Sequence, residues 1–185
     1  MKKIFISMIL AVVAISGCAD NKKQKSGDRS QENTPASEIS TDTSLPTTDS
    51  SSDLTPDFTL NDINGNPLTL SSLRGKYVIL DFWGSWCVWC IKGIPQMKEY
   101  YQKYAGKFEI LGIDCNDTEA KWKAAVEKYE LPWLHVYNPR DSKVLEQYEI
   151  EGFPTKIIVG PDGKIVKTII GEDPAFYTFL DELFK

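Results

Sequence analysis

Two cysteines three residues apart, placed directly after an apolar run broken only by Asp81, constrain this chain more than any other feature. Tyr77-Val78-Ile79-Leu80-Asp81-Phe82-Trp83 has the length and continuity of a central strand covered on both faces. Trp86-Cys87-Val88-Trp89-Cys90 follows at once, where such a strand turns into a helix. A helix start offers unpaired backbone N–H groups and the positive end of the peptide dipoles, and both favour a thiolate on Cys87. Cys90 falls one turn further on, close enough to form a disulfide with it. Lowering a thiol pKa from about 8.5 to about 7 raises the thiolate fraction at pH 7 roughly 15-fold. The weaker base is also a poorer nucleophile by roughly fivefold, so attack gains only about threefold. The two thiols therefore work as a pair. A purely structural bridge is disfavoured, because so short a loop removes little unfolded-state entropy.

The chain begins Met1-Lys2-Lys3, continues through an apolar segment from Ile4 to Ile15, and reaches Ser16-Gly17-Cys18. A basic start, a short apolar core and small residues are the anatomy of a secretory signal. Twelve helical residues span about 18 Å, short of the roughly 30 Å hydrocarbon core, so a permanent spanning helix is disfavoured. Ser16-Gly17-Cys18 resembles the bacterial lipoprotein processing box. That resemblance implies that residues 1–17 are a signal peptide, cleaved before Cys18, and that the Cys18 sulfur is lipidated. Several acyl chains would hold the mature protein on a membrane surface. Ala19-Asp20 leaves both inner and outer membrane open as destinations.

Residues 18–53 read as a tether. Between 19 and 53 there are 13 Ser or Thr, no aromatic residue, and only Ile39 and Leu45 as large aliphatics. Such a stretch cannot bury enough apolar surface to offset its ordering entropy. As a random coil of about 35 residues it would reach roughly 30–35 Å. The whole chain carries 21 basic and 26 acidic residues; losing Lys2 and Lys3 leaves 19 against 26, or −7. Nothing in this balance suits nucleic-acid binding.

Residues 54–185 hold all five Trp, all eight Tyr and seven of the eight Phe, enough for one domain with a substantial core. Phe58-Thr59-Leu60 and Pro67-Leu68-Thr69-Leu70 around Asn64-Gly65 predict a hairpin. A helix is expected from Cys87 to about Tyr104, kinked at Pro95. Phe108–Ile113 reads as the next buried strand. Asp117 or Thr118 can cap a helix whose Trp122, Ala125, Val126 and Tyr129 share a face. Trp133–Tyr137 predicts a short strand, Ser142–Tyr148 a short helix, and Thr155–Val159 with Lys164–Ile170 a second hairpin. Asp173-Pro174 opens a last helix that buries Phe176, Phe179, Leu180 and Leu183. The order βαβα, a βα insert, then ββα predicts an α/β three-layer sandwich on a mixed sheet.

From about Thr55 to Lys185 the chain resembles the thioredoxin superfamily, and within it the TlpA/ResA-like membrane-associated thiol–disulfide oxidoreductases of bacteria. Pro56-Asp57-Phe58, Leu70-Ser71-Ser72-Leu73-Arg74-Gly75-Lys76, the block from Asp81 to Cys90, Gly152-Phe153-Pro154-Thr155 and Pro161-Asp162-Gly163-Lys164 carry the resemblance in order. Pro95 matches the helix proline of thioredoxins, and the insert from Leu131 to Ile150 is similar to this branch. The resemblance implies a cis bond before Pro154, which would face the dithiol and discourage metal capture. It also implies that the backbone of Phe153 pairs with an extended substrate segment, with Trp86, Val88 and Trp89 contributing contacts. Asp81 falls where thioredoxins place a buried acid near the second thiol, a candidate to take the Cys90 proton.

Two positions depart from the family pattern. Many TlpA-like proteins carry Glu three residues after the second cysteine, where this chain has Gly93. Val88-Trp89 replaces the common Gly-Pro or x-Pro between the thiols. Without a charge or His there, a reductant or moderate exchanger is expected rather than a strong oxidant.

Other candidates read as structural. Cys115 is expected to be a buried small hydrophobe rather than an auxiliary thiol, and His135 a strand residue between Leu134 and Val136. Cys87, Cys90, Cys115 and His135 provide only one local ligand pair, so no metal is expected. Peroxiredoxins share the Pro-Asp-Phe opening, but Trp83-Gly84-Ser85-Trp86-Cys87 lacks their Pro and Thr before the reactive cysteine. A thiol peroxidase and a non-catalytic binding module on the same fold are the alternatives to a disulfide reductase or exchanger. For the latter, the resemblance implies no cofactor, disulfide-bearing exported proteins as substrates, and a membrane electron donor. Apocytochrome c, another exported protein or a general pool all fit as substrates. The implied location is the cell envelope, lipid-anchored and facing the periplasm.

Overall fold

The computed structural model describes residues 54–185; the expected signal peptide 1–17, Cys18 and the tether to residue 53 lie outside the described residues. The elements run β1 (Thr59–Asp62), β2 (Pro67–Thr69), a 3₁₀ turn (Leu70–Leu73), β3 (Tyr77–Trp83), α1 (Val88–Lys103), β4 (Phe108–Cys115) and α2 (Glu119–Lys128). Then come β5 (Leu134–Asn138), α3 (Val144–Gln147), β6 (Thr155–Val159), β7 (Ile165–Ile170) and α4 (Pro174–Phe184). The strands form one mixed sheet in the order β2-β1-β5-β4-β3-β6-β7. β3, the apolar run, is parallel to β4 and antiparallel to β6, and β4 is parallel to β5.

Strand alternation divides the core into two faces. Ile79, Ile110 and Ile158 join side chains of α1, α2 and α4, among them Met97, Trp122, Phe176 and Leu180. Val78, Leu80, Phe82, Leu111, Ile113, Ile157 and Val159 turn the other way, under Phe58, Leu60, Leu70, Val144 and Tyr148. The sheet is thus the middle of three layers, but the covering is unequal. Three full helices lie on one side; on the other are the single-turn α3, the 3₁₀ turn and the N-terminal segment. Burying each large aliphatic side chain contributes about 1.5–3 kcal/mol, and on β3 every residue from Val78 to Trp83 is buried.

Local chemistry explains the element ends. Thr118 caps α2 by accepting from the Lys121 N–H, leaving Asp117 free for another task. Asp173 accepts from the Ala175 N–H ahead of Pro174 at the start of α4. α1 continues through Pro95 as one helix and buries Cys90, Gly93, Ile94 and Met97, the 3–4 spacing of a single face. Strand β4 extends two residues beyond the expected end, to Cys115, because it stays paired with β5 as far as Asn138. Among the described residues, no helix is long and apolar enough to cross a membrane.

Candidate active site

The parallel strands β3 and β4 end side by side, Trp83 opposite Asp114, and the loops that leave them meet. After β3 the chain passes through Gly84-Ser85-Trp86 and reaches Cys87, which caps α1 in an extended conformation. The Cys90 N–H donates to Cys87 Sγ at 3.1 Å, so an orphan amide of the helix start points at the sulfur. Cys87 and Cys90 are joined in a disulfide with an S–S distance of 2.08 Å, and both are buried.

The loop after β4 clamps the loop that carries the dithiol. The Ser85 N–H and Oγ–H both donate to the Asp117 carboxylate, at 2.7 and 2.8 Å. The Trp86 indole N–H donates to the Cys115 carbonyl at 2.8 Å. Gly84 makes that fold possible: a β-carbon there would lie 2.8 Å from the same carbonyl and closer to the indole nitrogen. Trp86 packs edge-to-face on Phe153, ring centres 5.3 Å apart. Behind the clamp lies the fully buried Asp114, whose carboxyl is pushed up to about 8 by burial and then by the adjacent Asp117.

The Phe153–Pro154 peptide bond is cis. Thr155 pairs with Phe82, so Pro154 sits one residue nearer the end of β3 from which the dithiol loop departs. Around the buried disulfide, Trp86, Val88 and Trp89 stay exposed at 49%, 63% and 60%. Lys92 Nζ lies 4.4 Å from the Trp89 ring centre. An open groove of about 640 Å³ runs beside Trp86, bordered by Ser85, Asn116, Lys121, Lys128 and Tyr129.

Asp81 alternates with Ile79 and Trp83, which turns it toward the α1 side of the sheet. It is buried, and its Oδ1 has no hydrogen-bond partner among the described residues. Burial pushes its carboxyl up to about 6; Lys156 opposes that and Glu172 adds to it. Lys156 is the direct β6 neighbour of Asp81 and pairs with Glu172 at 2.8 Å.

The structure brings Cys87, Cys90, Trp86 and Phe153 together and sets Asp81 on the same sheet face. Cys115 faces the other way; it is fully buried, its thiol donates to the Ile113 carbonyl at 3.3 Å, and burial raises its pKa strongly. His135 sits between Trp83 and Trp133, ring centres 6.2 and 6.0 Å away, and burial lowers it to about 4. Sequence reasoning missed Ser85, Asp117, Lys156 and Glu172. A lysine inside the apolar run Thr-Lys-Ile-Ile-Val was the one available signal, since a buried strand lysine needs a partner.

A disulfide-forming pair at the head of a helix, on a mixed sheet with a cis proline at the adjoining strand, defines a thioredoxin-fold dithiol protein. The chain belongs to the AhpC/TSA family, whose profile matches residues 52–168, and it is a thiol–disulfide oxidoreductase of the ResA-like kind with a Cys87–Cys90 pair. It is 39% identical over 118 residues to the thiol-disulfide oxidoreductase ResA of Bacillus cereus, covering 63% of this chain and 68% of that one. Its fold is similar to the thioredoxin domain of a Bacteroides vulgatus thiol-disulfide oxidoreductase (TM-score 0.66, 34% identity, 71% of this chain and 96% of that one). A thiol-disulfide oxidoreductase from Bacteroides fragilis is also similar (TM-score 0.64, 31% identity, 70% and 98%).

Proposed function

We propose that this oxidoreductase works outside the cytoplasm, held to a membrane by lipid on Cys18, and reduces or exchanges disulfides in exported proteins. The observation that carries the chemistry is the Cys87–Cys90 pair at the N-terminus of α1, where the Cys90 N–H points at Cys87 Sγ. The signal-like start, the Ser16-Gly17-Cys18 box and the Ser/Thr-rich stretch support the setting.

In the reducing direction, the Cys87 thiolate attacks a substrate disulfide. A bond forms between Cys87 Sγ and one substrate sulfur, and the other leaves as a thiolate that takes a proton from water. Cys90 then gives its proton to Asp81 and attacks Cys87 Sγ. The Cys87–Cys90 bond forms, the mixed disulfide breaks, and the second substrate thiolate leaves and is protonated. Two electrons have passed from the dithiol to the substrate. A membrane thiol protein that carries electrons outward returns them by the same exchange. Trp86, Val88, Trp89 and the Phe153–Pro154 edge form the apolar rim against which an unfolded segment bearing the disulfide docks. No cofactor is needed, because the thiols themselves carry the electrons.

A Cys90→Ala variant tests this reading. It should accumulate mixed disulfides between Cys87 and exported proteins, which mass spectrometry can identify. Capture of nothing with those proteins present would overturn the exchange mechanism. A redox titration returning a potential as oxidising as that of DsbA, about −120 mV, would reverse the proposed direction.

A further inference from the structure

Helix α1 carries a glycine, Gly93, on its buried face one turn beyond Cys90. An interior glycine costs a helix about 1 kcal/mol relative to alanine, and here the space it leaves is filled. A β-carbon on Gly93 would lie 2.6 Å from Glu172 Oε1 and closer still to Cδ and Oε2. The Glu172 carboxylate, arriving from the turn between β7 and α4, therefore occupies the side-chain space of position 93. Lys156 donates to Oε2 at 2.8 Å, its side chain only 3% exposed. The Tyr177 hydroxyl donates to Oε1 at 2.9 Å, with the Gly93 carbonyl 3.4 Å away.

The charges in this chamber do not balance. Asp81 is influenced by Lys156 from β6 and Glu172 from the β7–α4 turn, while Tyr177 of α4 and Cys115 of β4 in turn feel the Asp81 charge. Only Lys156 among these is positive, and its hydrogen bond goes to Glu172. The buried Asp81 and the part-buried Glu172 share one cation, and Asp81 is the one left with an unpartnered oxygen among the described residues.

We propose that Glu172 is a positioning residue of the dithiol site: lodged in the space opened by Gly93, it holds the Lys156 charge off Asp81 and so keeps Asp81 able to accept the Cys90 proton. The proposal rests on the reading above, in which Asp81 takes that proton. Removing Glu172 withdraws a neighbouring negative charge and frees Lys156 to pair with Asp81, and both changes favour ionised Asp81. Removing Lys156 has the opposite effect.

The test is a carboxyl ¹³C NMR titration of Asp81 in the oxidised full chain, beside the pH–rate profile of the Cys90-dependent resolution step. Glu172→Gln, nearly isosteric, should lower both the Asp81 midpoint and the acid limb of the rate by about one pH unit, and Lys156→Met should raise them by a similar amount. Gly93→Ala should displace the Glu172 carboxylate and shift both readings in the direction of Glu172→Gln. Gly93→Glu combined with Glu172→Ala, which returns a carboxylate to the same space from α1, should move them back. A purely structural Glu172 would alter stability and leave both midpoints in place. If Glu172→Gln leaves the midpoint and limb unmoved, or Lys156→Met fails to raise them, the proposal is overturned. Asp81→Asn separates the two readings. Loss of the acid limb in Asp81→Asn with an unmoved limb in Glu172→Gln removes only the role of Glu172. Persistence of the limb in Asp81→Asn overturns both.

Discussion

Asp81 occupies a position where an apolar residue would pack more cheaply, and burial, opposed by Lys156 and reinforced by Glu172, holds its carboxyl up near 6. A base of that strength is poorly populated as an acid at pH 7, ready to receive a thiol proton, and general bases of this kind contribute about 10²–10⁴-fold. Asp81→Asn should therefore slow release of the second substrate thiol at least ~10-fold at pH 7 while formation of the first mixed disulfide keeps its rate. Rapid-quench separation of the two steps checks this; equal slowing of both would refute the assignment. Asp114 at the end of β4 shows the same physics. Its carboxyl, raised to about 8, binds a proton more tightly in the folded chain than in the unfolded one. Its contribution to stability is complete below the unfolded value near 4 and is lost as pH rises through about 8. Asp114→Asn, which stays neutral, should exceed the parent in stability by ~1 kcal/mol or more at pH 9, roughly 3 °C in Tm for a domain of this size. Melting curves should show that advantage shrinking toward pH 5; a constant difference across that range would count against a protonated Asp114.

Among the elements, the loops after β3 and β4 behave as one unit, because Asp117 accepts both the N–H and the hydroxyl of Ser85. Asp117→Ala leaves a part-buried amide unsatisfied, at a cost of about 1–3 kcal/mol. It should loosen the Ser85–Cys87 segment before the rest of the domain. Hydrogen exchange at the Ser85 amide should accelerate while β3 amides keep their protection; unchanged exchange at Ser85 would mean that the clamp is not what orders the loop. This clamp was not legible in the sequence, since Asp117 beside Thr118 reads equally well as a helix cap, and only the β3–β4 register reveals the task left to it. β3 itself was legible to the residue, because a seven-residue run that is apolar except for Asp81 admits few alternatives. The short helix expected over Ser142–Tyr148 contracts to Val144–Gln147, where Lys143 supplies no side-chain cap. The last helix buries Phe176, Tyr177 and Leu180, while the expected Phe179 and Leu183 are only partly buried against the same core. That tyrosine faces Glu172, whose place beside Gly93 depends on a fold that joins positions 79 residues apart. Nothing local marks Glu172 as different from a solvated glutamate in a turn.

At the scale of the whole molecule, the parallel core and the crossover through α1 place the dithiol at the sheet edge where β3 and β4 end, with an exposed apolar rim beside it. In the proposed reducing direction such a site serves one substrate and then waits for electrons, so turnover would depend on meeting the proposed donor again. The proposed lipid anchor bears on that second encounter. The tether expected over residues 18–53, with a random-coil reach of roughly 30–35 Å, would present the domain to a partner in the same membrane at an effective concentration of order millimolar. The proposed exported substrates would diffuse in from solution and gain little from it. Replacing residues 1–18 with a cleavable signal lacking the lipidated cysteine should therefore leave exchange by the purified protein unchanged and impair re-reduction in cells. Alkylation of free thiols in intact cells should show Cys87 and Cys90 shifting from mostly reduced to mostly oxidised on release from the membrane, with total protein unchanged. Restoring any lipid-anchored leader should reverse the shift. An unaltered redox state after release would show that the donor finds the domain without the tether, and the membrane anchor would then have no part in recycling the dithiol.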